Sequence, residues 1–315
     1  MTRVAAIDCG TNSIRLLVAD VADGQLTDLV REMRVVRLGQ GVDRTGEFAE
    51  EALVRTFAAL DDYAATCREL GVERVRFVAT SATRDARNRE RFLEGVRERI
   101  SVTPEVISGH EEASLSFNGV VSAVMGAPAP FLVVDLGGGS TELALGGDTL
   151  DAAYSMDVGC VRLTERHLTA NPPTAQQQAD AVADVREALA VAQGTVSLGE
   201  ARTLIGVAGS ITTVTAHALD LPAYDPVAIH GATLTVQQVI DSCNALIAAS
   251  HEDRAAMPFM HPGRVEAIGA GALVWREVVT AVAEAVATSG GHLTTVTTSE
   301  HDILDGIALS IASVG

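Results

Sequence analysis

Apolar positions fall into two kinds of pattern along this chain. Compact apolar runs at residues 4–7, 14–18, 131–134 and 142–145 read as strands, and runs with little polar alternation suit sheets covered on both faces. Between and after them, apolar residues recur at helical spacing. The first half predicts a helix over 47–70 ended by Gly71, a strand over 74–79, a helix near 84–99 and a strand over 105–107. In the second half, strands are expected to extend to about residue 162. A helix over 175–192, a strand over 203–207, helical stretches over 236–249 and 265–287, and a strand over 293–297 follow. A helix over 110–125 would join the halves, and a last helix over 302–313 would return to pack on the first. Strands first, then alternation with helices, predict α/β domains with mixed sheets flanked by helices.

The strongest pattern is an internal repeat. Ile7-Asp8-Cys9-Gly10-Thr11-Asn12-Ser13-Ile14-Arg15-Leu16 matches Val134-Asp135-Leu136-Gly137-Gly138-Gly139-Ser140-Thr141-Glu142-Leu143 in the form apolar-D-x-G-x-x-S-x-x-L. Strand-like runs flank each copy, so each reads as a tight β-hairpin with Gly where the backbone bends or approaches a ligand. A lone glycine hairpin is common, but Asp, Gly, Ser and Leu matching at equal spacing argue for duplication. Two duplicated hairpins resemble the actin-like ATPase superfamily, whose ribonuclease-H-like domains carry their active site in the interdomain cleft. The expected division is a first domain over 1–124, joined by a helix over 300–315, and a second domain over 125–299.

Composition narrows the chemistry. Of 315 residues, 47% are apolar and only 3% aromatic, so Val, Ala, Leu and Ile must fill the cores. The apolar stretch 120–134 is broken by Gly126, Pro128 and Pro130 and is too short to span a bilayer. The N-terminus enters its first strand with no secretory pattern. The four cysteines are far apart, without a C-x-x-C pair, and read as free thiols of a cytoplasmic protein. The net charge is −18, and Lys is absent, so Arg alone carries the positive charge. Without Lys, a P-loop and Schiff-base chemistry are excluded. The acidic balance argues against general nucleic-acid binding, which needs a basic patch. His110-Glu111 and His251-Glu252 lack the second His of a zinc-protease motif, since Ser114 and Ala255 stand in its place.

Phosphate suits the two loops. Gly10, Thr11, Asn12 and Ser13 in the first, and Gly137, Gly138, Gly139, Ser140 and Thr141 in the second, let consecutive N–H groups converge on one anion while hydroxyls add donors. An Asp beside phosphate is repulsive unless a cation lies between them, so Asp8 and Asp135 imply Mg²⁺, or Mn²⁺ in its place. Glu142, two residues past Ser140, faces the same side of a strand and would hold the metal or orient a water. An exposed strand carboxylate is the plainer alternative. Arg15 stands at Glu142's position in the first copy, which suits that loop to direct phosphate contact and the second to metal-bridged contact.

Four segments in order, IDCGTNSIRLLV, SGHEEASLSFNGV, VVDLGGGSTELAL and GVAGSITTVTA, resemble the Ppx/GppA family of exopolyphosphatases and guanosine-pentaphosphate phosphohydrolases over essentially the whole chain. Residues 79–84 and 158–164 support the match. The resemblance implies a Mg²⁺-dependent hydrolase that removes the terminal phosphate of linear polyphosphate, of guanosine pentaphosphate, or of both. It also implies a homodimer, and it places the catalytic glutamate of the SGHEEA segment on Glu112. On the residues alone Glu111 competes for that role, because helix neighbours face about 100° apart and only one points inward. Two solvated carboxylates answering the helix dipole are the plainer reading of the pair.

Arg84 fits the family pattern for phosphate binding. Arg87, Arg89 and Arg91 follow it, either facing a phosphate chain or forming a solvated basic face that answers Glu90, Glu94 and Glu98. Gly209 and Ser210 lie in the counterpart of the superfamily's adenosine loop and would line the cleft, with a helix cap the alternative for Ser210. Larger family members carry further C-terminal helical domains, whereas these 315 residues end after the two core domains. With the acidic charge, that makes short-chain polyphosphate the expected substrate and guanosine pentaphosphate the alternative. A kinase or a nucleotide-binding module on the same fold is a more distant reading.

Overall fold

The computed structural model describes residues 2–22, 24–121 and 126–312. The expected continuation of the joining helix through 122–125, and of the last helix to 313, lies outside them. Contacts divide the chain into two compact units, Met1–Val120 with Ile303–Gly315, and Val121–Asp302.

In the first unit β1 (Thr2–Cys9), β2 (Ser13–Ala22) and β3 (Gln25–Val35) form an antiparallel meander. Then α1 (Val42–Thr45) and α2 (Glu50–Glu69) lead to β4 (Arg74–Ala79), which pairs parallel to β1. Next come α3 (Ser81–Asp85), α4 (Arg89–Ile100), β5 (Glu105–Val106) and α5 (Gly109–Val121). The sheet order is β3-β2-β1-β4-β5. The second unit repeats the plan. A meander of β6 (Phe131–Leu136), β7 (Thr141–Gly146) and β8 (Leu150–Met156) is followed by α6 (Cys160–Arg166) and α7 (Ala175–Ala192). The chain then enters β9 (Thr203–Val207), parallel to β6, and α8 (Gly209–Ala218). It continues through α9 (Pro226–Ile229), β10 (Thr233–Thr235), α10 (Val236–Ala248), α11 (His251–Ala256), α12 (Ile268–Thr288) and β11 (Thr295–Thr298). The order β10-β11-β9-β6-β7-β8, read from its far edge, is that of the first sheet with β10 added antiparallel. The last helix, α13 (Ile303–Ala312), belongs to the first unit. The duplication expected from the two motifs is therefore present in the folds themselves.

Strand alternation decides where the functional side chains go. Val4 and Ala6 of β1 join Leu115 of α5 and Leu304 and Ile307 of α13 on one face. Ala5 and Ile7 join Leu60 and Tyr63 of α2 and Phe92 of α4 on the other. With both faces covered, β1 reads as an apolar run, and the next even position, Asp8, falls on the α5 side. In the second unit Leu132, Val134 and Leu136 join a cluster with Leu189 and Trp275, and the odd position Asp135 takes the opposite face.

Tertiary contacts redraw several expected boundaries. The helix expected near 84–99 is two helices, because Ala86 is extended and the Asn88 amide is spent on the Phe48 backbone, accepting from its N–H at 2.8 Å and donating to its carbonyl at 3.0 Å. Strand does not continue to 162. β8 stops at Met156, and residues 160–166 are helical, their first N–H groups bonded to carbonyls of the second loop. β3 and β10 carry no strong pattern of their own and were not expected. Among the described residues no helix is long and apolar enough to cross a membrane. All four cysteines are free and buried.

Candidate active site

The two loops are built alike. In each, the first Gly N–H donates to the Ser carbonyl three residues on, Gly10 to Ser13 and Gly137 to Ser140, both at 3.0 Å. Each loop then has its carbonyls held from behind. Thr11 and Asn12 carbonyls accept from Gly39, Val36 and Arg37 N–H groups. The carbonyls of Gly137 and Gly138 accept from Cys160, Val161 and Arg162 N–H groups, and that of Gly139 accepts from the Arg162 guanidinium at 2.7 Å. A peptide whose C=O is held on one side turns its own N–H to the other, so the amides of Asn12, Gly138 and Gly139 are candidates for anion contact. Gly159 permits the second brace: a Cβ there would lie 2.5 Å from the Gly138 carbonyl.

The hydroxyls divide between site and fold. Ser140 is buried and its hydroxyl makes no hydrogen bond among the described residues, and the Thr11 hydroxyl is buried without a partner. By contrast, Thr141 donates to the Val158 carbonyl at 2.6 Å, so its hydroxyl serves the hairpin's packing.

Register puts the acidic residues in cross-strand rows. Asp8 sits opposite Arg15, whose Nη2 and Nε reach its Oδ2 at 2.7 and 3.0 Å. The carboxylate's charge is answered within its own hairpin. Asp135 sits opposite Glu142, which sits opposite Ser155, whose hydroxyl donates to Glu142 Oε1 at 2.7 Å. Glu142 is buried, not the exposed strand carboxylate of the plainer reading. Asp135 and Glu142 thus place two buried carboxylates side by side across the hairpin. Among the described residues no group of three or more His, Cys, Asp and Glu gathers as a metal cluster. A Mg²⁺ held by one or two carboxylates, with water and substrate phosphate completing its shell, needs no such cluster, so this hard-oxygen pair fits that ion.

Glu112 and Glu111 go to different environments. Glu112, on the first turn of α5, is 8% exposed, and its Oε2 accepts from Arg84 Nη1 at 2.6 Å. That arginine also donates to the Ile107 carbonyl at 3.1 Å, and Thr80 supplies a further bond to Glu112. Burial raises the Glu112 pKa; Arg84 opposes the rise, and the nearby Asp8 charge adds to it. Glu111 keeps a side-chain exposure of 45% and accepts from Arg76 at 2.8 Å. Asp8, Thr80, Arg84 and Glu112 thus converge beside the first loop. The arginines after Arg84 turn elsewhere: Arg87 and Arg91 pair with Glu47 and Glu50.

At the third segment, Gly209 opens α8, and Ala208 holds the N-cap position with φ 70 and ψ 170, a strained backbone for a residue with a Cβ. Ser210 is therefore not the cap. It lies inside the first turn, buried against the Cys160 thiol, whose pKa is raised by its own burial. Sequence reasoning missed Arg264, which ends a short 3-10 turn after Pro262 and carries no motif signal. Its guanidinium lies over Gly209, so close that a Cβ there would be 2.6 Å from Cζ. It donates to Thr213 Oγ1 at 3.2 Å and stands 5.6 Å from the Tyr224 ring centre, with no carboxylate among the described residues in ion-pair contact. Tyr224 is itself held, its hydroxyl 2.6 Å from Glu300 Oε1 and 2.8 Å from Thr212 Oγ1.

Duplicated hairpin loops, a buried acid pair and a buried glutamate held by arginine lie on two α/β units of the actin-like fold. Residues 17–305 match the model of the Ppx/GppA phosphatase family, and the chain belongs to that family. It is 51% identical to exopolyphosphatase 2 of Mycobacterium tuberculosis, the alignment covering 99% of each chain. The crystal structure of an exopolyphosphatase-like protein superposes with a TM-score of 0.96 at 46% identity, covering 98% of this chain and 97% of the other. The Ppx/GppA family member of Aquifex aeolicus gives a TM-score of 0.79 at 29% identity, covering 99% and 98%. The chain is accordingly an enzyme of the phosphatase class.

Proposed function

We propose that this enzyme is an exopolyphosphatase that removes the terminal phosphate of short polyphosphate chains, with Glu112 as general base. The environment of Glu112 carries this reading. A catalytic base works best with a pKa near the working pH, and burial moves Glu112 upward from the ordinary carboxylate range in that direction. Arg84 fixes the carboxylate's orientation through Oε2, and the carboxylate takes the proton from water. Water attacks the terminal phosphorus in line, its proton passes to Glu112, and the bond from phosphorus to the bridging oxygen breaks. Glu111, turned to Arg76 and half-exposed, is not placed for this work.

In the first unit phosphate oxygens would be held by the loop N–H groups of residues 11–12 and the Ser13 hydroxyl, with Arg15 and Arg84 supplying charge-assisted bonds. In the second they would be held by the loop N–H groups of residues 138–139 and the Ser140 hydroxyl, with Arg264 supplying the charge-assisted bond. Asp135 and Glu142 would hold Mg²⁺, while Asp8 is paired with Arg15. When bound, Mg²⁺ neutralises developing charge on phosphate oxygens. A protein of net charge −18 without lysine repels a long polyanion at a distance, so affinity per chain should level off or fall as polyphosphate lengthens. The similarity to the mycobacterial exopolyphosphatase supports polyphosphate over a nucleotide. Phosphate release from short polyphosphate, guanosine pentaphosphate and ATP, measured side by side, tests the assignment. Turnover of guanosine pentaphosphate with none of polyphosphate would overturn it.

A further inference from the structure

The second unit has a cavity of about 360 Å³ whose wall includes Thr164 and Glu165 of α6, Asn171, Arg254 of α11 and Gly269 of α12. It is distinct from the phosphate loop. Cys160, on the first turn of α6, bonds the second loop, whereas Thr164 and Glu165, a turn further on, face the cavity. Arg254 is 4% exposed, the most buried cation in the unit. Two of its five N–H donors are used: Nε reaches the Leu246 carbonyl at 2.9 Å and Nη2 the Ile247 carbonyl at 3.2 Å, at the end of α10. Among the described residues the remaining donors find no protein partner and no carboxylate makes an ion pair with Arg254. Burial lowers its pKa. Glu165 and Glu266 line the cavity but are exposed, and neither makes an ion pair with the guanidinium.

The end of a helix offers Arg254 a partial negative charge, which accounts for two of its bonds. It does not account for a full charge whose other donors line a cavity, since a buried ion without a counter-ion is costly. The guanidinium packs against Gly269, where a Cβ would lie 2.4 Å from Nη2 and 2.9 Å from Cζ, and its two hydrogen bonds hold it there. A planar fork held rigidly at a cavity wall matches an anion with two or more oxygens. We propose that this cavity is a binding site for a small oxyanion, a carboxylate or inorganic phosphate, paired with Arg254.

His251 also lines the cavity and is exposed, which makes its ring a reporter. The full chain would be titrated separately with acetate and with inorganic phosphate at millimolar concentrations, following the His251 ring resonances by NMR, assigned with His251→Gln. A saturable shift with acetate assigns a carboxylate site, and one with phosphate alone assigns a phosphate site. Asn171 is exposed and makes no side-chain hydrogen bond, so Asn171→Asp and Asn171→Lys change only the charge at the wall. The first should weaken binding about threefold or more and the second tighten it, as expected for one added charge near a bound anion. Arg254→Gln should abolish the shift, and the Asn171 pair keeps the test valid if that variant fails to fold. No saturable change at His251 with either anion would overturn the proposal. So would a shift that ignores the charge at position 171.

Discussion

Replacing Gly209 by Ala separates catalysis from stability at one atom. The added Cβ would stand 2.6 Å from Arg264 Cζ and Nη2 and 2.7 Å from Nε, so the guanidinium must leave its place over α8. It is the far end of a flexible side chain, and moving it costs the fold little. Gly209 is the first residue of α8 and is not in a left-handed conformation, so Ala is tolerated by the backbone. Helix propensity then favours Ala by up to about 0.8–1.0 kcal/mol, less at a terminus. The melting temperature should hold or rise slightly. Activity should move the other way. If Arg264 binds phosphate as proposed, its displacement should remove a charge-assisted bond worth about 1.5–3 kcal/mol, or about 10- to 150-fold in kcat/KM. If Arg264 binds ground state and transition state alike, the loss appears in KM. Phosphate-release kinetics on short polyphosphate beside thermal unfolding measure both. Arg264→Gln should give a similar loss, and the double variant no further loss, because both changes remove one interaction. A Gly209→Ala enzyme of normal stability and unchanged kcat/KM would refute the role given to Arg264.

Other expectations follow from the same contacts. Glu112→Gln should lower kcat by about 10²–10⁴ with KM little changed, and Glu111→Gln should leave turnover near normal; the reverse pattern would move the base by one residue. Because the Glu112 pKa is raised in the fold, the acid limb of kcat/KM should lie above the ordinary glutamate range. The sign for stability is opposite: protonated Glu112 favours the fold, so that contribution is present below the unfolded pKa and is lost as pH rises through the folded one. Unfolding of wild type and Glu112→Gln across pH should show the difference widening in that window. Chelation should abolish phosphate release and Mg²⁺ restore it, with Asp135→Asn weakening the restoration; full activity of a metal-stripped Asp135→Asn enzyme would remove the metal from the mechanism. Ala208→Gly should raise stability by about 1 kcal/mol in chemical denaturation by relieving the left-handed strain, and a loss would show the strain to be absent.

The repeat was legible in sequence because its meaning is local. Asp, Gly and Ser at fixed spacing specify a hairpin turn, and apolar strands on either side specify its flanks, so both copies fold as read. Strand periodicity likewise carries Asp8 and Asp135 to defined faces once the strands exist. The edges of elements were less legible wherever a distant group holds them. Residues 160–166 are helical because loop carbonyls at 137–138 accept their first N–H groups, and the helix expected over 84–99 breaks where Asn88 bonds Phe48. The contrast between Arg15 and Glu142 could be read as a difference of charge, but only register shows each directly opposite its Asp. Which of Glu111 and Glu112 is buried depends on the packing of α5, and sequence spacing alone cannot choose between adjacent helix positions. Arg264 lay beyond sequence reasoning altogether. A single arginine in a turn has no period and no motif, and its place over Gly209 exists only because the chain brings residues far apart in sequence into one packed unit.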